Sequence, residues 1–394
     1  MTDSKVETKK VETVEQTDSS RRKFLKGSLL AAGGVATAGT AIVGAPYVNA
    51  QAPLVMRMQT SWPSGNVWQQ FARNYGDRVE AMSGGRIQVD LLPAGAVVGA
   101  FQVMDACNDG ILDAAHSVPP YWYGKHKAAS LFGTGPCYGG DAINFLAWFY
   151  HGGGDELYRE LTQDILGMNV VGMLGFPMPS QPFGWFNVEA NTVADLRGLR
   201  YRTVGLAADL LQKMGMVVAQ LPGGEIVPAM ERGVIDAFEF NNPSSDRDFG
   251  AQDVSKDWYM GSYHQASETM EYIFNQDFLE DLDDDLRAIV THAVEAATLH
   301  NISFSHDRYS ADLIGLVEED GVTLHRTSGE ILDAQLEAWT ELEAELAEED
   351  PFMGKVLASQ RAWFERTAYY TLMNTADATM ERAYEHNFPG RLVG

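Results

Sequence analysis

Basic residues and cysteines are both scarce in this chain. Its 394 residues carry 29 Lys and Arg against 54 Asp and Glu, a formal net charge of −25. An acidic surface of that size argues against nucleic acid and anionic lipid as partners. The first 50 positions hold seven basic and five acidic residues, so the remaining 344 stand near −27. Cys107 and Cys137 are the only cysteines. They form no CxxC and no Cys/His cluster, which argues against zinc. In an oxidising compartment they could pair or stand as two separate buried thiols, and spacing does not choose between these. The sequence also lacks GxGxxG at a strand–helix turn, GxxxxGK(S/T), HExxH and GxSxG. Asp283-Asp284-Asp285 lacks the alternating ligands of an EF-hand. Beyond residue 50 no apolar run is long enough to span a bilayer.

What the first 50 residues do contain is a targeting pattern. Ser20-Arg21-Arg22-Lys23-Phe24-Leu25-Lys26 is followed by the weakly apolar run GSLLAAGGVATAGTAIVGA and by Val48-Asn49-Ala50. This predicts a twin-arginine signal peptide over residues 1–50, cleaved after Ala50, and a periplasmic mature protein. A membrane anchor is the competing reading, but so Gly- and Ala-rich a run sits at the low edge of spanning length.

The mature part is long enough for two domains. From Leu54 it alternates strand and helix: LVMRMQTSW, a helix over 66–82 ended by Gly84-Gly85, RIQVDLL, a helix near 100–108, then DAAHSV. Such alternation predicts parallel strands with crossover helices, an α/β fold. One internal echo matters. Asp109-Gly110-Ile111-Leu112-Asp113-Ala114 matches Arg232-Gly233-Val234-Ile235-Asp236-Ala237, each a helix closed by Gly and fed straight into a strand. Two similar lobes facing a shared cleft follow: lobe I over 51–170, completed by part of 260–394, and lobe II over 171–260. The chain is expected to cross between them near NVVGMLG and again between about Trp258 and Asn275, forming a hinge. Residues 276–394 read as long helices packed on the lobes, either within one chain or as a dimer contact.

The stretch from Gln181 to Pro243 concentrates the chemistry. Its strands place Gln181, Trp185, Arg202 and Glu239 at strand ends, where ligands sit in alternating α/β units. Arg202 can aim its guanidinium at a planar carboxylate with two parallel hydrogen bonds, or it can be a structural partner of Glu239. Glu239 lies between two aromatics in FEFNNP, a poor place for a merely solvated acid. Gln181 and Glu239 offer oxygens of the kind hard cations prefer. From the first lobe, Tyr121 and Tyr123 could wall a small ligand.

The strings SQPFGWF, LRGLRYRTVG, LPGGEIVPAMERGVIDAFEF and YHQASETMEYIFN together resemble the solute-binding proteins of tripartite ATP-independent periplasmic (TRAP) transporters. Within that family they are most similar to the branch binding 2-oxo or 2-hydroxy monocarboxylates with a metal ion. The resemblance implies a two-lobed periplasmic binding protein with a hinge and long C-terminal helices. It implies that the carboxylate-binding arginine is Arg202 and that Gln181, Glu239 and the Phe240 carbonyl hold the cation, with Trp185 and Gln265 also lining the substrate. It favours sodium over calcium, and it implies membrane permease subunits as partners and, in some members, a homodimer through C-terminal helices. The branch usually has Trp after the acid, then a Gly-Pro-Tyr-Asn-like run; this chain has Phe240 and NNPSSD. A second carboxylate on the ligand is expected to face Phe240 and Phe183, which would be unfavourable. Competing readings are a periplasmic metal-dependent enzyme with Glu239 as base, and a sensing module that presents bound acid to a receptor.

Overall fold

The computed structural model describes residues 52–374 and 377–392; the leader expected over residues 1–50 lies outside them. The strands in chain order are β1 Leu54–Thr60, β2 Ile87–Leu92, β3 Ala114–Ser117, β4 Val170–Met178, β5 Gly184–Phe186, β6 Arg200–Thr203, β7 Val217–Gln220, β8 Ala237–Phe238, β9 Asp257–Met260, β10 Glu268–Asn275 and β11 Thr323–Arg326. They form two sheets, ordered β2-β1-β3-β10-β4 and β11-β9-β5-β8-β6-β7. The fold is a two-lobed α/β hinge architecture with long C-terminal helices.

The chain therefore passes between sheets three times: after β4, between β9 and β10, and again before β11. The second lobe was expected to open at residue 171, yet β4 pairs with β10 in the first sheet and the passage falls at 179–183. Within each lobe the βαβ units are parallel, β1 with β2 and β3, β6 with β7 and β8. Of the strands that follow a crossing, β5 and β10 run antiparallel to their neighbours, whereas β11, preceded by the helix Asp284–Glu318, runs parallel to β9.

The internal echo is an echo in three dimensions. Gly110 and Gly233 both take the left-handed conformation, with φ of 68° and 64°, that lets a helix turn directly into a strand. In each lobe the Asp that follows accepts a hydrogen bond from a backbone N–H of the first strand: Arg57 N to Asp113 Oδ2 at 2.7 Å, and Arg200 N to Asp236 Oδ2 at 3.1 Å. The same device fixes β3 beside β1 and β8 beside β6. It thereby delivers His116–Tyr123 and Glu239–Asn242 to the same cleft.

Helix Asp284–Glu318 has 35 residues, about 52 Å at 1.5 Å per residue. Its first half packs Val290, Ala293, Val294 and Ala297 into the core of the first lobe. Its end is tied to the second lobe by Arg247, which reaches Asp312, Glu319 and Asp320. The helix thus spans both lobes. Helices Gly329–Glu349 and Pro351–Asn374 follow, the first capped by Ser328, whose hydroxyl accepts from Ile331 N. Among the described residues no helix is long and apolar enough to cross a membrane. Cys107 and Cys137 are separate buried thiols. Burial raises the pKa of both, Cys137 to about 12, so neither is a ready nucleophile.

Candidate functional site

The lobes meet over a cleft that is closed in this structure. Leu206 N donates to Ser130 Oγ at 3.2 Å, Asn66 Nδ2 to the Ser245 carbonyl at 3.1 Å, and Val67 N to Asp248 Oδ2 at 2.8 Å. Each of these joins the first lobe to the second.

Strand alternation decides which side chains of β6 face that cleft. Tyr201 and Arg202 are sequence neighbours and so point to opposite faces. Tyr201 packs with Phe183, ring centroids 6.0 Å apart. Phe183 thus packs on the far face of β6 from Arg202, away from the guanidinium beside which it was expected. Arg202 turns to the other side and is 1% exposed. Its Nε donates to the Leu221 carbonyl at 2.8 Å, and its Nη1 donates to the Glu239 carbonyl at 2.8 Å and to Glu239 Oε1 at 3.0 Å. The Phe240 ring lies 5.7 Å from the guanidinium carbon. Nε and Nη1 are committed, and the Tyr121 hydroxyl hydrogen-bonds the same guanidinium, so a ligand would meet Arg202 at Nη2, beside Tyr121. The expected two-pronged grip would require Glu239 to release Nη1.

Glu239 is thus both things weighed from sequence: a partner of Arg202, and an acid with capacity to spare. Burial raises its pKa and Arg202 pulls the other way. Its Oε2 is buried with no hydrogen-bond partner among the described residues. The same holds for Gln181 Oε1 and Gln265 Oε1. Gln181 is pinned at both ends, its backbone N–H donating to the Gln265 carbonyl at 3.1 Å and its Nε2 donating to Glu268 Oε2 at 2.8 Å. Gln265 Nε2 in turn reaches Thr203 Oγ1 and the Val204 carbonyl, each at 3.4 Å.

Buried oxygens without donors are costly to a folded protein unless something electropositive reaches them. The donors here are carboxylate and amide oxygens, with the Phe240 carbonyl adjacent in sequence, a set suited to a hard cation. Among the described residues no three His, Cys, Asp or Glu side chains converge as a metal cluster.

Trp185 is fully buried. Its ring stacks on Trp258 at 4.7 Å, and its Nε1 donates to Asp246 Oδ2 at 2.8 Å. Burial pushes the Asp246 carboxyl up to about 7, against the hydrogen bonds from Trp185 and Ser245. Tyr121 is close enough to Arg202 that the guanidinium opposes the upward pull of burial on its phenol. It also borders a cavity of about 450 Å³ whose wall includes Phe101, Pro120, Val204 and Gln220, at the junction of the lobes. Tyr123 is not brought to Arg202. It is half-buried on the outer side of that cavity, where its hydroxyl donates to Asp209 Oδ2 at 2.8 Å across the cleft.

Sequence reasoning missed Glu268 and Asn241. Glu268 Oε2 also accepts from Asn241 Nδ2, and burial, then Glu239, raises the pKa of Glu268 well above the usual carboxylate range. A signal was present, since ETMEYIFN sets two acids in an otherwise apolar strand. The second of them, Glu271, is satisfied by Trp122 Nε1 and Tyr158 Oη. His264 is buried and neutral, its pKa lowered to about 3 by burial, which does not suit it as a general base.

The family model for bacterial extracellular solute-binding proteins, family 7, matches residues 58–350. A monocarboxylate 2-oxoacid-binding periplasmic protein of Nostoc sp. is 28% identical over 346 residues, covering 86% of this chain and 94% of that protein. A TRAP periplasmic solute-binding protein from Pseudoalteromonas atlantica, solved with bound sodium and pyruvate, is 29% identical. Its TM-score is 0.77 over 85% of this chain and 99% of that one. One from Colwellia psychrerythraea, solved with calcium and pyruvate, is also 29% identical, with a TM-score of 0.77 over 85% and 100%.

Proposed function

The chain belongs to the bacterial extracellular solute-binding proteins of family 7, and we propose that it captures a short 2-oxo or 2-hydroxy monocarboxylate, pyruvate- or lactate-like, together with a hard cation. It is a TRAP solute-binding protein, not an enzyme. Delivery to the permease subunits of such a transporter follows from that membership. The observation that carries the reading is Arg202, buried beside oxygens that lack a donor.

In this reading the ligand carboxylate takes Nη2 of Arg202 and, once Glu239 turns toward the cation, Nη1 as well. Gln181 Oε1, the Glu239 carboxylate and the Phe240 carbonyl would hold the cation, sodium or calcium, which when bound polarises the ligand's 2-oxygen and partly neutralises its carboxylate. Trp185 and Gln265 are read as the wall and floor of the pocket and Tyr121 as its cover. Tyr123, with Asp209, acts at the rim instead.

One arginine matches one carboxylate. A second would be pressed against the Phe240 ring and the acids Glu239 and Glu268. Burying a charged group without a partner costs at least about 2 kcal/mol, or roughly thirtyfold in affinity. Competition calorimetry should therefore rank pyruvate and lactate above succinate and malate by that factor or more; a preference for the dicarboxylates would overturn the substrate assignment.

Binding also needs the cleft to close around the ligand, and Gly205 is a point where the closed lobes touch. It has φ of 66°, and an added Cβ would stand 2.7 Å from both Pro120 Cβ and Ser130 Oγ of the opposite lobe. Gly205→Ala should lower pyruvate affinity about tenfold, a free-energy change of about 1.4 kcal/mol. Gly198→Ala, with φ of 74° but open space around the new methyl, also carries backbone strain but makes no lobe contact, and should bind normally. Equal losses in both variants would mean that strain, not closure, is responsible.

Export by the twin-arginine route, with cleavage near Ala50, is part of the proposal, as is a homodimer. Tyr369, Tyr370, Leu372 and Met373 of the C-terminal helices are exposed, and a separate cavity of about 1290 Å³ is lined by Ile314, Val317, Tyr384 and Phe388. A second copy of the chain would cover this apolar surface. Sedimentation at micromolar concentration should give twice the chain mass, and a charge placed at Tyr370 should return it to the single mass.

A further inference from the structure

Helix Leu206–Lys213 belongs to the second lobe and has one end at the mouth of the cleft. It buries Leu206, Ala207, Ala208, Leu210 and Leu211, and its last residue, Lys213, pairs with Glu345 of helix Gly329–Glu349 at 2.8 Å. Its first turn meets the first lobe. There Leu206 N docks on Ser130 Oγ, Asp209 Oδ2 accepts from the Tyr123 hydroxyl at 2.8 Å, and Lys127 Nζ lies 3.6 Å from Asp209 Oδ1. Among the described residues both partners of the Asp209 carboxylate thus come from the opposite lobe, although its side chain is only 20% exposed. Parting the lobes removes both at once.

The donors are fixed as firmly to their own lobe. Tyr123 N donates to the Pro120 carbonyl at 3.2 Å, Lys125 Nζ is bonded to Asp105, and Lys127 opens the 3-10 turn Lys127–Phe132. Because neither side is free to follow the other, the contact breaks when the cleft opens instead of stretching with it. The other closure contacts use a backbone group on one side: Leu206 N, Val67 N and the Ser245 carbonyl. Tyr123 and Asp209 meet side chain to side chain, so this tie is removable without touching the backbone.

Resting on the reading of Arg202 as the ligand's anchor in the closed cleft, we infer that Tyr123 and Asp209 are a bolt that sets how long the ligand stays, and not how fast it is captured. Tyr123 is not brought to Arg202. It stands on the outer side of the 450 Å³ cavity that Tyr121 also lines, and its hydroxyl is spent on the opposite lobe. A ligand enters the open cleft, where the bolt is already broken, so losing the bolt does not slow encounter. Release requires opening, which breaks the bolt, so losing it speeds escape and affinity shifts through koff. The hydrogen bond to the carboxylate carries most of the effect. Lys127, 43% exposed and 3.6 Å away, adds little.

The test is stopped-flow on the mature chain in buffer containing both sodium and calcium, with pyruvate as ligand and intrinsic tryptophan fluorescence as the signal, so that kon and koff are read separately. Tyr123→Phe removes one oxygen and should raise koff about tenfold while kon stays within about twofold of wild type. Asp209→Ala should do the same, and the double variant should release pyruvate no more than about twofold faster than either single one, since the same bond is lost in all three. Asp209→Asn keeps an acceptor for Tyr123 and should recover most of the residence time, and Lys127→Met should change koff by about threefold or less. Circular dichroism melting accompanies each variant. An unchanged koff in folded Tyr123→Phe overturns the bolt, as do single losses that multiply in the double variant. A fall in kon as large as the rise expected in koff overturns it too, because it would place Tyr123 on the ligand. If Arg202→Ala binds pyruvate like wild type, the reading of the anchor fails instead, and the release rates of the Tyr123 and Asp209 variants still decide the bolt.

Discussion

Replacing Arg202 with Ala is expected to weaken pyruvate binding roughly a hundredfold or more, about 3 kcal/mol, the range for truncating one member of a buried, hydrogen-bonded charge pair. The loss has two parts. The ligand carboxylate loses its charge-assisted donor, and Glu239, only 1% exposed, loses the counter-charge now 3.0 Å away. The second part also bears on folding, since an unpaired acid is left in a dry site. Melting curves should therefore fall as well, and affinity is to be compared on protein shown to be folded by circular dichroism. Arg202→Lys should restore little. An ammonium has three donors in place of five and cannot serve the Leu221 carbonyl, the Glu239 carbonyl, Glu239 Oε1 and a ligand together. Arg200 is the natural control. It lies two residues earlier on the same strand, exposed and paired with Asp236, and Arg200→Ala should leave pyruvate affinity within about threefold of wild type, the scale of a lost surface ion pair. Wild-type binding by Arg202→Ala would place the carboxylate clamp elsewhere.

These residues were readable in the sequence for a reason that does not extend to the whole site. Arg202 and Glu239 come from one run of strand–helix–strand, where alternation and chain order fix which side chains reach the strand ends, and β6 and β8 do lie side by side. The matching Gly-x-x-Asp turns after helices 103–108 and 226–231 likewise announced two lobes with similar wiring. Glu268 was hidden because nothing local says where its strand goes. β10 inserts antiparallel between β3 and β4, neighbours 150 and almost 100 residues away in the chain, and only that insertion sets its first residue beside Gln181 and Asn241. The facing of Phe183 was hidden too. It precedes β5 in a segment where strand alternation has not yet begun, so its side could not be counted from Trp185. Tyr121 and Tyr123, two residues apart, look interchangeable on paper. The 3-10 turn over Pro119–Trp122 rotates them apart, one toward Arg202 and the other toward Asp209.

The other large effect is expected from removing the cation. Protein dialysed against a chelator in sodium- and calcium-free potassium buffer should bind pyruvate at least a hundredfold more weakly than the same protein with cation restored. Without an ion, the donorless oxygens of Gln181 and Glu239 stay uncompensated, the 2-oxygen of the ligand has nothing to meet, and the added carboxylate enters a region already rich in acid. Glu239 then stays on Arg202 at 3.0 Å and occupies the Nη1 corner that the ligand needs. Ion and ligand should accordingly help one another: the ion draws Glu239 off the guanidinium, and the ligand completes the ion's surroundings. Linkage requires the benefit to be reciprocal, so pyruvate must raise cation affinity by the same factor by which the cation raises pyruvate affinity, and calorimetry in both orders checks this directly. Glu239→Gln separates the two roles of the acid. The amide oxygen can still accept from Arg202, but it lacks the charge that holds a cation, so the variant should fold, bind pyruvate as weakly as the stripped wild type, and no longer respond when cation is added. If wild-type affinity is the same through stripping and restoration, Glu239 is a structural partner of Arg202 alone, and the clamp works without an ion.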